Sequence, residues 1–501
     1  LVGSEMCIRD SNEGNVIASG AEDLGNGLEA LVEVVETPQT KATTRATIKA
    51  PAGKYTVLAY QNGEQKAKWV LNYNGSSYQA IEGTKAEQFL AKGEYTFYVF
   101  SEHLTLENGK IVARNGSDKQ KALYFSGTST INEAKGKSKV QFVLKPFFAQ
   151  VFFKIKAFSG AAFNGAMTGS FTFGANAIPT TCTIDPTTGA KTVENNTAAG
   201  ELAFGNFTGN QTEGTPVKSY IQSQTAQYML PGTDVTNMKF KFNNRSNGTI
   251  YNKAIKDKTL TITNKIDGNL KEGQSYIVAV TVYYTATYLF SDGTTGTMGK
   301  KGTRTPIALV VGKPAGHPYT YAIALKDASG GSRWNTKYDN KNKVPASKIN
   351  TAIKEYNGWD NTYNPAFTIH NVIKAESEFF PPFKFAANYN PGTTLTGKIQ
   401  NEKWFLGGLG EWELTLNKLE VSSLTNSGDK KKLNYTNDLA YNLVRILFEQ
   451  ADGSPIDGFY WTSDCHGLVH TIVMRAGGEL KKEVSLKSTD SGLTRAFIRF
   501  K

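Results

Sequence analysis

Cysteine is scarce in this 501-residue chain, with three residues in all, too few for a disulfide framework. Cys182 and Cys465 fall in what read as different domains, so no bridge between them is expected. No apolar run reaches the length of a membrane-spanning helix. The longest, SYIVAVTVYYTATYLF (275–290), is interrupted by threonine and reads as a strand or hairpin. Charged residues make up only 20% of the chain, and no long helical period occurs before residue 313. Nor does a Ser/His/Asp set, a Gly-rich phosphate loop or a paired-carboxylate phrase stand out. An enzyme is therefore not expected, and no cofactor is implied.

What the chain does have is aromatic residues, 28 Phe and 23 Tyr, far too many for a disordered polymer. Its length calls for two to four domains. The net charge of +12 is spread as single lysines, and the densest run, DKKKL (429–433), reads as a solvated loop. Nucleic-acid proteins gather their charge into a patch or a recognised module, so no nucleic-acid partner is expected. The opening LVGSEMCIRDS matches the conceptual translation of a sequencing-library adapter. Residues 1–11 are expected to be its scar, with Cys7 foreign and any export signal or lipid anchor lost upstream.

The segment GLEALVEVVE (27–36) fits a helix face or a strand equally well. The polar TPQTKATTRAT that follows is a loop. Two related phrases come next, PAGKYTVLAYQ from Pro51 and AKGEYTFYVFS from Ala91. Each sets a glycine, a charge, Tyr and Thr before a run of β-branched and aromatic residues, which suits a half-buried strand. KVQFVLKPFFAQVFFKIKAF (139–158) reads as two strands around Lys145-Pro146, with a domain boundary near 145. Alternating strands and long Gly/Asn/Thr loops continue to 312, where VGKPAGHPY (311–319) reads as a linker. Beyond it, helices are expected over SKINTAIKEYNG, from Ser347 to a stop at Asn357-Gly358, and over LGEWELTLNKL and NDLAYNLVRILFEQADG. The phrases FYWTS, HTIVMRAG, KKEVSL and RAFIRF are short strands.

Residues 25–312 resemble the fimbrillin family, the subunits of type V pili in Gram-negative anaerobes. The resemblance rests on the TKATTRA segment, the repeated Gly-x-Tyr-Thr strands and VQFVLKPFFAQVFFKIK. Residues 315–501 resemble a bacterial surface module related in fold to C-type lectins. That family has Trp-x-Leu-Pro-x-x-x-Glu, Tyr-Trp-Ser-Ser and Arg-x-x-Arg-x-Phe phrases. They correspond here to WFLGGLGEWE (Trp404, Glu411, Trp412), YWTS (Tyr460, Trp461) and TRAFIRF (Arg495, Phe497, Arg499, Phe500). Gly407 stands where the family has proline, so a looser approach to the following helix is expected.

The resemblances imply a mainly β chain. After the scar come two fimbrillin-type antiparallel β-sandwiches of transthyretin-like build (12–145 and 146–312), then an α+β C-type-lectin-like domain (315–501). They imply an exported outer-membrane or fimbrial protein, an adhesin whose partners are other pilus subunits. In that family an arginine-directed protease removes the first strand, and the next subunit supplies a replacement. Arg45 in TKATTRAT is the candidate cut site. With the C-terminal domain in the way, no free donor strand is evident, which implies a tip position. The alternative is a free-standing surface glycan-binding lipoprotein.

Five of the six tryptophans follow residue 313. Trp404, Trp412 and Trp461, inside the family phrases, are expected to fill the core. Trp334 and Trp359, set among Asn, Asp and Tyr, are the glycan-stacking candidates, for a host or microbial ligand. Asp464, His466 and His470 could share a face, but nothing completes a four-ligand set, and no metal is expected. The DNKNK segment (339–343) is too basic for calcium.

Overall fold

A computed structural model describes residues 14–37, 50–116, 118–132, 139–158, 162–164, 167–215, 217–243, 248–255, 258–336, 353–368, 371–420, 433–434, 438–466, 468–475, 479–485 and 491–501. The expected adapter scar, Arg45, the Ser347 helix start and the DNKNK segment lie outside them. The chain is mainly β, with no described helix long and apolar enough to cross a membrane.

The two Gly-x-Tyr-Thr phrases form adjacent antiparallel strands, Gly53–Gln61 and Gly93–Ser101, in register from Tyr55↔Ser101 to Tyr60↔Thr96. Each opens on a glycine at φ 155° and 152°, a conformation that side chains disfavour. Each then turns its tyrosine hydroxyl back to the carbonyl four residues upstream, Tyr55 to Pro51 at 2.8 Å and Tyr95 to Ala91 at 3.0 Å. The repeated motif is thus one corner used twice. These strands belong to a six-stranded sheet, packed on a four-stranded one through Leu58, Tyr98 and Phe100 against Ile111, Cys182 and Ile184.

A second pair of sheets packs around Phe153, whose ring lies 5.4 Å from Phe204 and 5.9 Å from Phe240. The ambiguous 27–36 segment is a strand, Leu28–Glu36. It forms a hairpin with Asn15–Gly25 across Gly25-Asn26-Gly27, all at positive φ (70°, 53° and 73°). Alternation decides in favour of the strand, because Leu28, Ala30, Val32 and Val34 all face the core. The hairpin pairs along Ser275–Tyr284, from Leu28↔Tyr284 to Glu36↔Tyr276.

That pairing corrects the boundary at 145. The N-terminal hairpin, assigned to the first sandwich, completes the large sheet of the second. In exchange Thr181–Ile184 joins the first pair of sheets, with Cys182 opposite Ala113. Around Lys145-Pro146, only Ala149–Ala157 is a full strand. Val140, Phe142 and Leu144 instead lie as an alternating segment over Val57, Phe97 and Val99.

The boundary at 312 is corrected too. Pro306–Gly312 and Thr320–Ser332 are antiparallel neighbours, so the prolines and glycines of 313–319 make a turn within one sheet, not a linker. The C-terminal sheet already begins at Tyr288–Phe290, with only three residues between it and Tyr284. The long apolar run 275–290 therefore crosses from one sheet to the next at Thr285–Thr287. Gln450 pins this crossing: it accepts from Tyr284 N at 3.0 Å and donates to Tyr284 O at 2.9 Å and the Tyr288 hydroxyl at 2.7 Å. One apolar core runs through the junction from Val282 to Leu447 and Phe497.

In the C-terminal sheet the last strand, Gly492–Phe500, is central. It pairs with Thr320–Ser332 on one edge, and on the other with Phe405–Leu406 and, through Leu493, with Tyr460. Phe497 packs on Trp412 of the helix Leu409–Lys418, while Ala496 and Ile498 on the opposite face pack with Trp334 and Phe383. The helices expected at LGEWELTLNKL and NDLAYNLVRILFEQADG are present as Leu409–Lys418 and Asp438–Glu449. Ile353–Tyr356 are not helical, and Asn357-Gly358 begins a short helix, Gly358–Tyr363, instead of ending one. Glycine is needed there because a Cβ would meet the Leu406 carbonyl at 2.8 Å.

Candidate functional site

Most of the family-phrase residues are structural. Trp404, Trp412 and Trp461 are buried; Trp461 Nε1 donates to Ser332 O at 2.7 Å, and Trp404 O accepts from the Tyr363 hydroxyl at 2.6 Å. Arg495 is fully buried. Its Nε lies 2.9 Å from Asp327 Oδ1, and its terminal nitrogens donate to the carbonyls of Ser454 (3.1 Å) and Pro455 (2.9 Å). It ties the central strand to the Asp327 edge and to the loop that enters Gly458–His466. Phe497 and Phe500 are buried beside it on alternate faces.

Glu411 and Asp464 share the start of the helix Leu409–Lys418. The N-cap residue there is Gly408, which has no side chain to cap with. Asp464 takes over from a distant strand, accepting from Leu409 N at 2.5 Å, while Glu411 accepts from Gly408 N at 2.9 Å and Gly358 N at 3.2 Å. A Cβ on Gly408 would sit 2.7 Å from Asp464 Oδ2. The looser approach expected from Gly407 does not occur. Gly407 is buried with its backbone against the Phe497 ring, and its carbonyl accepts from Ser463 N at 2.9 Å. Asp464 is thus committed to backbone and to Asn361 Nδ2 at 3.4 Å. The side chains of His466 and His470 lie outside the described residues, and no cluster of three metal-ligating side chains occurs among those described.

Burial pushes Asp464 up to about 6. Burial, and then the Asp464 charge, push Glu411 up to about 8. Asp327 and Glu449 are raised as well, chiefly by burial. A carboxyl raised on folding holds its proton more tightly in the native state, so its contribution is full below its ordinary value and is lost as pH climbs through the folded value. Burial lowers His317, which works the other way as pH falls, but the four raised carboxyls outnumber it. The C-terminal unit should therefore melt at a higher temperature near pH 5 than near pH 8. Surface carboxylates with lowered values, such as Glu107 at about 2, titrate below that window. A pH series of melting curves checks this, and Glu411→Gln should flatten the slope.

The two glycan-stacking candidates separate. Trp334 is fully buried, which corrects its assignment to an exposed loop. Its ring meets Phe380 and Phe383 edge-on at 5.6 and 5.2 Å, and its Nε1 donates to Thr462 O at 2.8 Å. The Lys374 ammonium also stands 5.4 Å from its ring centre. No sugar can reach it. Trp359 is half-buried on the short helix Gly358–Tyr363, and it does line an open cleft of about 730 Å3. Its ring is already engaged, however: the Arg499 guanidinium carbon lies 4.1 Å from its centre, and Tyr363 packs beside it at 5.3 Å. The same guanidinium lies 4.3 Å from the Tyr319 ring centre. Sequence reading missed Tyr319, Lys398, Lys403 and Lys501 as lining residues. The alternation in TRAFIRFK puts Arg495 and Arg499 on one side of the strand, but it cannot tell that the first is sealed in the core and the second stands at a rim.

No family's sequence profile matches this chain, and no curated protein does. Solved structures with partial likeness exist. One is a candidate cell adhesion protein from Bacteroides uniformis, 16% identical, covering 46% of this chain and 88% of its own, with a TM-score of 0.30. Another is a fimbrial protein from Bacteroides vulgatus, 14% identical, covering 51% and 95%, with a TM-score of 0.28. A third is the fimbrial anchor protein Mfa2 from Porphyromonas gingivalis, 11% identical, covering 40% and 73%, with a TM-score of 0.21. Such scores lie below the level at which a shared fold follows.

Proposed function

We propose that this chain is a non-enzymatic, exported cell-surface adhesin of fimbrial type. It accepts a strand from a neighbouring pilus subunit and carries a C-terminal lectin-like unit at the fibre tip. The observation that carries the reading is the N-terminal hairpin. It seals nine residues of the Ser275–Tyr284 edge and fills the core with Ile17, Leu24, Leu28, Val32 and Val34. Its removal would leave a row of unpaired backbone groups over apolar pockets, the recipient geometry for β-augmentation. Arg45 lies between the hairpin and the strand that begins at Gly53, so one cut there would free it. The Gly492–Phe500 strand is paired on both edges and is itself not available as a donor strand.

One observation favours the second reading, a free-standing surface glycan-binding lipoprotein. Glu29 of the hairpin is buried and accepts from Thr297 Oγ1 at 2.6 Å and Gly299 N at 2.8 Å, fastening the hairpin to the C-terminal sheet's first loop. Limited digestion with an arginine-specific protease separates the two. Strand acceptance expects Arg45 to be cut before other arginines, leaving a folded body by gel filtration. Resistance at Arg45 while other arginines are cut would leave the free-standing lipoprotein as the better reading.

A further inference from the structure

We propose that the cleft beside Arg499 binds the carboxylate of an acidic saccharide. The cleft is lined by the end of the central strand (Arg499), the residue before its neighbour (Tyr319), the Trp359 helix, and the segment carrying Lys398 and Lys403, the latter with its ammonium 5.0 Å from the Tyr363 ring centre. Arg499 is held by two aromatic rings at 4.1 and 4.3 Å. Cation–π contact of this kind fixes the guanidinium plane; one part of its edge is turned to the Tyr321 hydroxyl, and the remaining N–H groups form a pre-oriented donor edge of the kind that suits a carboxylate. Trp359 thus positions the arginine and is not itself the sugar platform.

Charge points the same way. Lys398, Lys403, Arg499 and Lys501 line the cleft with Glu402 as the one acidic lining residue, and among the described residues none of the four cations forms an ion pair. Positive charge so concentrated and unmatched raises the local concentration of anions. The volume, about 730 Å3, falls in the range for small-ligand sites and suits one or two sugar rings. Asn401 and Glu402 supply a donor and acceptors for hydroxyls, and the Glu402 charge disfavours a polyacidic peptide. The rings around Arg499 are already occupied, which removes the stacking platform a single-stranded nucleic acid would need.

This deepens the ligand-presenting part of the reading above and is independent of strand exchange, because it is tested on the uncut full chain. Glucuronic acid and N-acetylneuraminic acid are titrated by calorimetry and ligand-observed NMR beside glucose, glucose 6-sulfate and a hexaglutamate peptide. The two carboxylated sugars should bind about tenfold or more tighter than glucose, as one charge-assisted contact provides, and should weaken with salt. Arg499→Lys should remove about that tenfold, and the exposed Lys403→Gln should weaken binding with an unchanged melting temperature. Equal binding of glucose, preference for the sulfate or for hexaglutamate, or no binding of either acidic sugar overturns the assignment. So does unchanged affinity in a folded Lys403→Gln protein together with Arg499→Lys.

Discussion

Replacing Arg495 with leucine should cost the C-terminal unit about 3–5 kcal/mol, the loss expected when one partner of a buried ion pair is removed. The guanidinium is fully buried, and three groups depend on it: the Asp327 carboxylate and the carbonyls of Ser454 and Pro455. Leucine would take the charge partner away from Asp327, whose other oxygen keeps only the Tyr460 hydroxyl at 3.4 Å, and would leave the Ser454 and Pro455 carbonyls without this donor. Asp327 already sits above its ordinary value because of burial and would move further toward the protonated form. Urea unfolding followed by tryptophan fluorescence reads this unit, since five of the six tryptophans lie in it. The comparison is Arg114→Met, which breaks an exposed pair with Glu107 and should leave the midpoint unchanged. An equal effect of the two substitutions would mean that Arg495 is not the clamp its contacts indicate.

Trp334→Ala should cost a similar amount, about 3–5 kcal/mol, because a fully buried indole is removed. The cavity would open between Phe380 and Phe383 on one side and Ile498 on the other, and the Lys374 ammonium would lose one of the rings around it. Trp359→Ala should be milder in stability, since the side chain is half-buried, but should free the Arg499 side chain. Near-ultraviolet circular dichroism and thermal melting separate the two. Loss of tertiary signal in Trp334→Ala with retention in Trp359→Ala is the expected pattern. A stable, well-packed Trp334→Ala protein would restore that residue as a surface position.

Much of the local structure was legible in the chain. Gly53 and Gly93 could be recognised because a fixed spacing of Gly, Tyr and Thr recurs wherever the same corner is built. The helices around Trp412 and Leu443 were legible because their apolar residues repeat at the helical period over several turns. What local pattern could not supply was partnership at long range. Nothing in TCTI announces that Cys182 will lie opposite Ala113, and nothing in ALVEVVE announces Tyr284 as a neighbour. Both domain boundaries failed for that reason, since Pro and Gly mark turns whether a turn joins two domains or two strands of one sheet. Trp334 was misplaced because polar neighbours in SRWNTKYDN suggest a loop at the surface. Its burial comes from residues far along the chain, Phe380, Phe383 and Thr462. The cleft was half visible: Trp359 and Arg499 stood out singly, but the stack that joins them depends on the helix from Gly358 lying beside the end of the last strand.

Strand exchange at the N-terminal hairpin is tested most directly by label incorporation. Protein cut at Arg45 is incubated with excess labelled peptide spanning residues 15–36, a stand-in for an incoming strand, and the label retained after gel filtration is measured beside uncut protein. The expected result is incorporation into the cut protein alone, with amides of Ser275–Tyr284 protected from hydrogen exchange in the product. A cut protein that keeps its own hairpin and takes up no label, or one that unfolds with or without the peptide, would contradict the reading of this chain as a strand acceptor.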